Sequence, residues 1–111
     1  MGTKVYNKLV RDNIPEILKG NCTYRTLTTT EYEKELKNKL IEEAKEFAES
    51  TSVDQSIEEL ADVLEVITAI LKLKGWNHSD VLSVANAKAK VKGRFIDRVF
   101  LISTTDEGIS K

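Results

Sequence analysis

The stretch IEEAKEFAESTSVDQSIEELAD, residues 41–62, carries one pattern twice: Ile41-Glu42-Glu43-Ala44-Lys45-Glu46, then Ile57-Glu58-Glu59-Leu60-Ala61-Asp62 sixteen positions later. In a helix, residues three apart are surface neighbours, so each copy offers a carboxylate pair, Glu43 with Glu46 and Glu59 with Asp62. The polar link around Ser50-Thr51-Ser52 suits a tight turn between two helices. Folded back on that turn, the chain would gather all four carboxylates. Such a cluster repels itself unless a cation neutralises it, and a hard divalent ion is the natural partner.

Working outward, the helical period extends on both sides. Thr30-Glu31-Tyr32-Glu33 has the form of a capping box opening a helix that runs to about Ser50. Ser52-Val53-Asp54-Gln55 is a second box, opening a helix to about Lys74, where Gly75 is a C-terminal signal. At ~100° per residue, Tyr32, Leu36, Leu40, Ala44 and Phe47 form one apolar stripe on the first helix. Glu43 falls inside that stripe and Glu46 on its edge. The second helix is apolar over most of its circumference, through Ile57, Leu60, Val63, Leu64, Val66, Ile67, Ile70, Leu71 and Leu73. Glu59 points between Val66 and Ile70, and Asp62 sits at the margin.

Glu43 and Glu59 therefore break the binary pattern where it asks for hydrophobes. An unpaired carboxylate in an apolar place costs several kcal/mol in practice, and it persists when paired, protonated or bound to metal. Glu46 lies six residues before Ser52 and Glu59 seven after it. At ~1.5 Å rise per residue both stand about 10 Å from the turn. Antiparallel helices ~8–10 Å apart could then place Glu43, Glu46, Glu59 and Asp62 around one or more ions.

The rest of the composition bounds the answer. The 111 residues suit one domain, with 103–111 a loose tail. Five glycines and one proline suit a helical chain. Cys22 stands alone, which excludes an internal disulfide and fits a reducing compartment. The opening MGTKVYNKLVRD lacks the apolar core of a signal peptide, and no apolar run nears the ~20 residues of a membrane span, so a cytoplasmic location is expected. A net charge of -1 argues against a nucleic-acid partner. Its distribution is uneven: residues 31–65 hold twelve acids and four lysines, whereas residues 72–98 hold seven Lys or Arg and two acids. That sequence of charge is what a metal-plus-phosphate site would want.

Other elements are shorter. Thr3–Tyr6, Cys22–Thr28 and Phe95–Ile102 are predicted as strands. Asp12-Asn13-Ile14-Pro15 begins a short helix that Gly20 ends, since Pro suits a first turn. Asn77 or Ser79 caps a further helix running to about Lys92, followed by Gly93. The expected fold is mainly α: an antiparallel helical bundle built on the acidic hairpin, with short terminal strands. Because the second long helix is apolar almost all round, a homodimer or a dimer of dimers is expected to complete the bundle. His78 is expected in an exposed loop, and Trp76 to pack against the helix end. Lys8, Arg11 and Asp12 could reach a substrate or a subunit interface.

On these residues the chain resembles the all-α NTP pyrophosphohydrolase superfamily, which includes MazG-like enzymes, phosphoribosyl-ATP pyrophosphohydrolases and dimeric dUTPases. The resemblance rests on Glu42-Glu43-x-x-Glu46, matching an EExxE motif, and Glu59-x-x-Asp62, matching ExxD. Asn86-Ala87-Lys88 and Arg94-Phe95 are similar to downstream elements of MazG-like proteins, with a longer spacing from Lys88 to Arg94. The opening Tyr6-Asn7-Lys8-Leu9-Val10-Arg11-Asp12-Asn13-Ile14-Pro15 resembles that of small phosphoribosyl-ATP pyrophosphohydrolase-like proteins.

This resemblance covers about residues 4–102. It implies a Mg²⁺-dependent hydrolysis of a nucleoside triphosphate to the monophosphate and pyrophosphate, with Mn²⁺ as a substitute ion. Glu43, Glu46, Glu59 and Asp62 would be the metal ligands and Glu42 the base or water-orienting residue. Asn86, Lys88, Lys92 and Arg94 would contact phosphate or sugar. The alternatives are hydrolysis of phosphoribosyl-ATP, and a non-catalytic helical module that keeps the acidic hairpin for metal binding or interaction.

Overall fold

The computed structural model describes residues 2–105, and these contain four helices and no strand: α1 (Ile14–Ile17), α2 (Thr29–Glu49), α3 (Val53–Lys74) and α4 (His78–Lys92). The chain divides into two compact units between His78 and Ser79.

In the first unit, α2 and α3 pack against each other. Three pairings give their direction. Ser50 and Ser56 hydroxyls meet at 2.7 Å beside the turn, carboxylates of Glu43, Glu59 and Asp62 converge midway, and Lys74 pairs with Glu33 at the far end. The two helices are therefore antiparallel.

Local chemistry accounts for their ends. The N-cap of α2 is Thr28, two residues earlier than the sequence pattern suggests. Thr28 Oγ1 accepts from the Glu31 amide at 3.2 Å, and Glu31 Oε1 accepts from the Thr28 amide at 3.0 Å. Arg25 decides between the competing threonines, since its guanidinium holds both oxygens of Glu31 at 3.0 and 2.8 Å. The N-cap of α3 is Ser52, which accepts from the Gln55 amide at 3.1 Å. The Gln55 side chain reaches back to Thr51 rather than to Ser52, so only half of the expected box forms. Gly75 closes α3 in the left-handed region at φ 73°, where a Cβ would be strained.

The core is small: Leu36 of α2, with Val66 and Leu71 of α3, are its buried hydrophobes. The apolar stripe of α2 is covered at Leu36 and opens to solvent by Ala44 and Phe47. On α3, Val53, Ile57, Leu60 and Leu64 remain exposed, a row at helical spacing along one face.

All three predicted strands are absent. Asn7 (φ 46°) turns the chain directly after the first run and Arg98 (φ 60°) interrupts the last, and among the described residues no run finds a ladder partner. Phe95–Ile102 is exposed throughout. His78 is not in a loop but is the first residue of α4, its Nε2 3.2 Å from Thr68 Oγ1. Trp76 is more than half exposed. The expected tail lies mostly outside the described residues. Among those described, no helix is long and apolar enough to cross a membrane.

Candidate metal centre

The helix pair brings five carboxylates together halfway along its length. Oxygens of Glu42, Glu43 and Glu46 lie within 4.8 Å of one another, and so do oxygens of Glu43, Glu59 and Asp62. Glu43 belongs to both groups and is the hinge of the cluster. It is also the one buried charged residue among those described, at 5 % exposure. Its position follows from the wheel. Glu43 lies on the α2 arc that faces α3, and Glu59 and Asp62, three apart on α3, face it in return.

Three cations attend these acids. Lys39, one turn before Glu43, places Nζ 2.8 Å from Glu42 Oε2 and 3.2 Å from Glu43 Oε1. Lys8 Nζ lies 3.6 Å from Glu42 Oε2, and Arg11 donates to Asp62 Oδ1 at 2.5 Å. Five carboxylates against three cations leave a formal excess of two negative charges. The buried Glu43 Oε2 and Glu59 Oε2 have no hydrogen-bond partner.

The electrostatics divide the two neighbouring glutamates. Burial, reinforced by the adjacent Glu46 carboxylate, pushes the Glu43 carboxyl above its ordinary range despite Lys39. The Lys39 hydrogen bond, aided by Lys8, holds Glu42 below it. Burial opposes the charge on Lys39, but Glu42 and Glu43 outweigh it and raise the ammonium. The Asp62 hydrogen bond raises Arg11.

The donor set fits a hard divalent ion. It is all oxygen, its carboxylates outnumber the cations paired with them, and two of its buried oxygens lack a protein donor.

The second unit carries the remaining residues singled out by sequence. Arg94 donates to Asn86 Oδ1 at 3.1 Å, and these two line a shallow open depression with Ala89 and Lys90. Lys88 and Lys92, four apart, share a different face of α4 from Asn86 and Lys90, and both are exposed. The sequence reading thus missed Lys90, which the i, i+4 relation to Asn86 would have found. It also left the roles of Lys8 and Arg11 open, and nothing in their local sequence points to Glu42 or Asp62.

No protein-family profile, curated protein or solved structure matches this chain.

Proposed function

We propose that the carboxylate cluster of α2 and α3 holds a hard divalent cation, Mg²⁺ with Mn²⁺ as substitute, and that the chain is a nucleotide pyrophosphohydrolase. Its substrate would be a nucleoside triphosphate, cut to the monophosphate and pyrophosphate, in a role such as clearing surplus or non-standard nucleotides. One observation carries the metal reading: the 5 % exposed Glu43 has a buried carboxylate oxygen without a partner, in a residue whose carboxylate also comes within 4.8 Å of oxygens of Glu59 and Asp62. A buried oxygen of this kind is costly unless it is paired, protonated or met by a cation, and a cation among three carboxylates answers all of them at once. The reaction rests on the resemblance of the two acidic motifs.

Glu43, Glu46, Glu59 and Asp62 would hold the ion. When bound, it would draw phosphate oxygens to the cluster and neutralise charge developing on them. Glu42, held ionised by Lys39 and Lys8, is a poor proton acceptor, so its part would be to orient an attacking water. Asn86 and Arg94, joined by their hydrogen bond, would contact phosphate or sugar, with Lys88 and Lys92 adding positive charge to the same segment. The exposed row Val53, Ile57, Leu60 and Leu64 supports a homodimer or a dimer of dimers.

A second reading is favoured by the Lys39 ammonium, which already pairs with Glu42 and Glu43. The cluster would then be a structural charge network in a non-catalytic helical module. Hydrolysis of phosphoribosyl-ATP is a variant of the first reading. Pyrophosphate release from a panel of canonical, deoxy and modified nucleotides and phosphoribosyl-ATP, with Mg²⁺ and with EDTA, separates them. Metal-dependent release is the expected result. Silence across the panel from folded, Mg²⁺-saturated protein would favour the module.

A further inference from the structure

Two cations reach the cluster from outside the helix pair, and both come from a stretch of four residues. Lys8 pairs with Glu42 on α2 at 3.6 Å, and Arg11 with Asp62 on α3 at 2.5 Å. They straddle the cluster with one contact on each helix. The segment that carries them has no regular secondary structure, and residues 2–8 are exposed. In the same cluster the buried Glu43 Oε2 and Glu59 Oε2 keep no partner. The segment thus meets the more exposed acids, Glu42 and Asp62, and leaves those two buried oxygens unmet.

Stability does not explain this placement, because exposed pairs of this kind contribute little. Arg11 and Lys8 are 58 % and 41 % exposed at the side chain. Exchange does explain it. A divalent ion seated among Glu43, Glu59 and Asp62 would take up the charge that now holds Arg11. The guanidinium and the ammonium would then border the ion with donors to spare. Such an ion keeps positions for phosphate oxygens, and an arginine fork matches two of them at once.

We propose that Lys8 and Arg11 form a phosphate clamp: paired with Glu42 and Asp62 in the arrangement described here, they pass to the phosphate oxygens of a phosphoanhydride chelated by the divalent ion. The inference rests on the metal reading of the cluster and adds a phosphate-recognising segment that neither acidic motif contains.

The test uses the full chain and two binding measurements. Electron paramagnetic resonance counts free Mn²⁺, and calorimetry follows inorganic pyrophosphate at saturating Mg²⁺. Arg11→Gln, Arg11→Lys and Lys8→Gln are compared with the unsubstituted chain, all at exposed positions that leave the core intact. Arg11→Gln should bind Mn²⁺ as tightly or more tightly, since a competitor for Asp62 is gone. Its pyrophosphate affinity should fall about tenfold or more, the scale of one lost charged contact. Lys8→Gln should lose pyrophosphate affinity likewise, and Arg11→Lys should recover only part, lacking the fork. If the variants bind Mn²⁺ and pyrophosphate like the unsubstituted chain, the clamp is overturned while the metal reading stands. Loss of Mn²⁺ binding in Arg11→Gln also overturns it, because Arg11 would then support the metal site itself. So does a Mg²⁺-saturated unsubstituted chain that binds no pyrophosphate. Absence of Mn²⁺ binding by the unsubstituted chain overturns both readings.

Discussion

Lys39 and Glu43, one turn apart on α2, form a half-made ion pair: Nζ stands 3.2 Å from Oε1, while Oε2 of the same carboxyl has no partner. The ammonium is shared with Glu42, at 2.8 Å. One positive charge therefore serves two carboxylates, and the buried one is left underneutralised.

Glu43→Gln tests that imbalance. The amide keeps the shape, removes the buried negative charge and leaves Lys39 to Glu42. The variant should gain about 1 kcal/mol in the presence of EDTA, the scale of one hydrogen-bonded group, and melt about 4 °C higher. It should at the same time lose Mn²⁺ binding. Scanning calorimetry and paramagnetic resonance read the two effects. A lower melting point with Mn²⁺ binding intact would assign Glu43 to the structural network instead.

Acid should weaken the start of α2. The Arg25 guanidinium, with the Thr28 amide, holds the Glu31 carboxyl down to about 2, against 4.5 for an ordinary glutamate. The unfolded chain takes up this proton at higher pH than the folded one. The stabilisation is thus fully present above about pH 4.5 and is lost as the pH falls from 4.5 towards 2. Thermal melts between pH 2 and 5 should show a steeper loss in the unsubstituted chain than in Arg25→Gln. Parallel slopes would mean that the pair contributes nothing to the folded state.

Leu36→Ala removes the most buried hydrophobe, 2 % exposed, from the contact between α2 and α3. It should cost about 2–5 kcal/mol, in the range of large-to-small core changes. With so few buried hydrophobes beside it, urea titration should show the midpoint collapse. Leu64→Ala, on the exposed face of α3, should cost under ~1 kcal/mol in the monomer.

The exposed row on α3 predicts self-association. Light scattering of the unsubstituted chain at micromolar concentration should give at least twice the chain mass of 12.5 kDa. Leu60→Glu, which sets a charge inside the row, should return 12.5 kDa. A monomeric unsubstituted chain would remove the case for a dimer.

The helices were legible because their signals are local. Ser52, Gly75 and Gly93 mark ends through bonds and backbone angles spanning a few residues, and the 3.6-residue period exposes the acids that break it. Where local signals compete, the reading slips. Thr28, Thr29 and Thr30 all suit a cap, and the Arg25 fork on Glu31 selects the first. The predicted strands failed for the opposite reason. A run such as Phe95–Ile102 has strand composition, but a strand exists only where a partner supplies a ladder.

The same division runs through the candidate site. Sequence alone determined that Glu43 and Glu59 sit where a helix wants hydrophobes, and that Glu46 and Asp62 follow each at i+3. Periodicity is a property of the chain, so no tertiary knowledge was needed. Only the tertiary structure decided that Glu43 is buried with an unpartnered oxygen, that Lys39 meets half its charge, and that Lys8 and Arg11 cross to Glu42 and Asp62. Arg11 and Asp62 stand 51 residues apart. No helical period or turn preference reaches that far. Their pairing is set by where an irregular segment lies against two packed helices, and by the excess of negative charge those helices present to it.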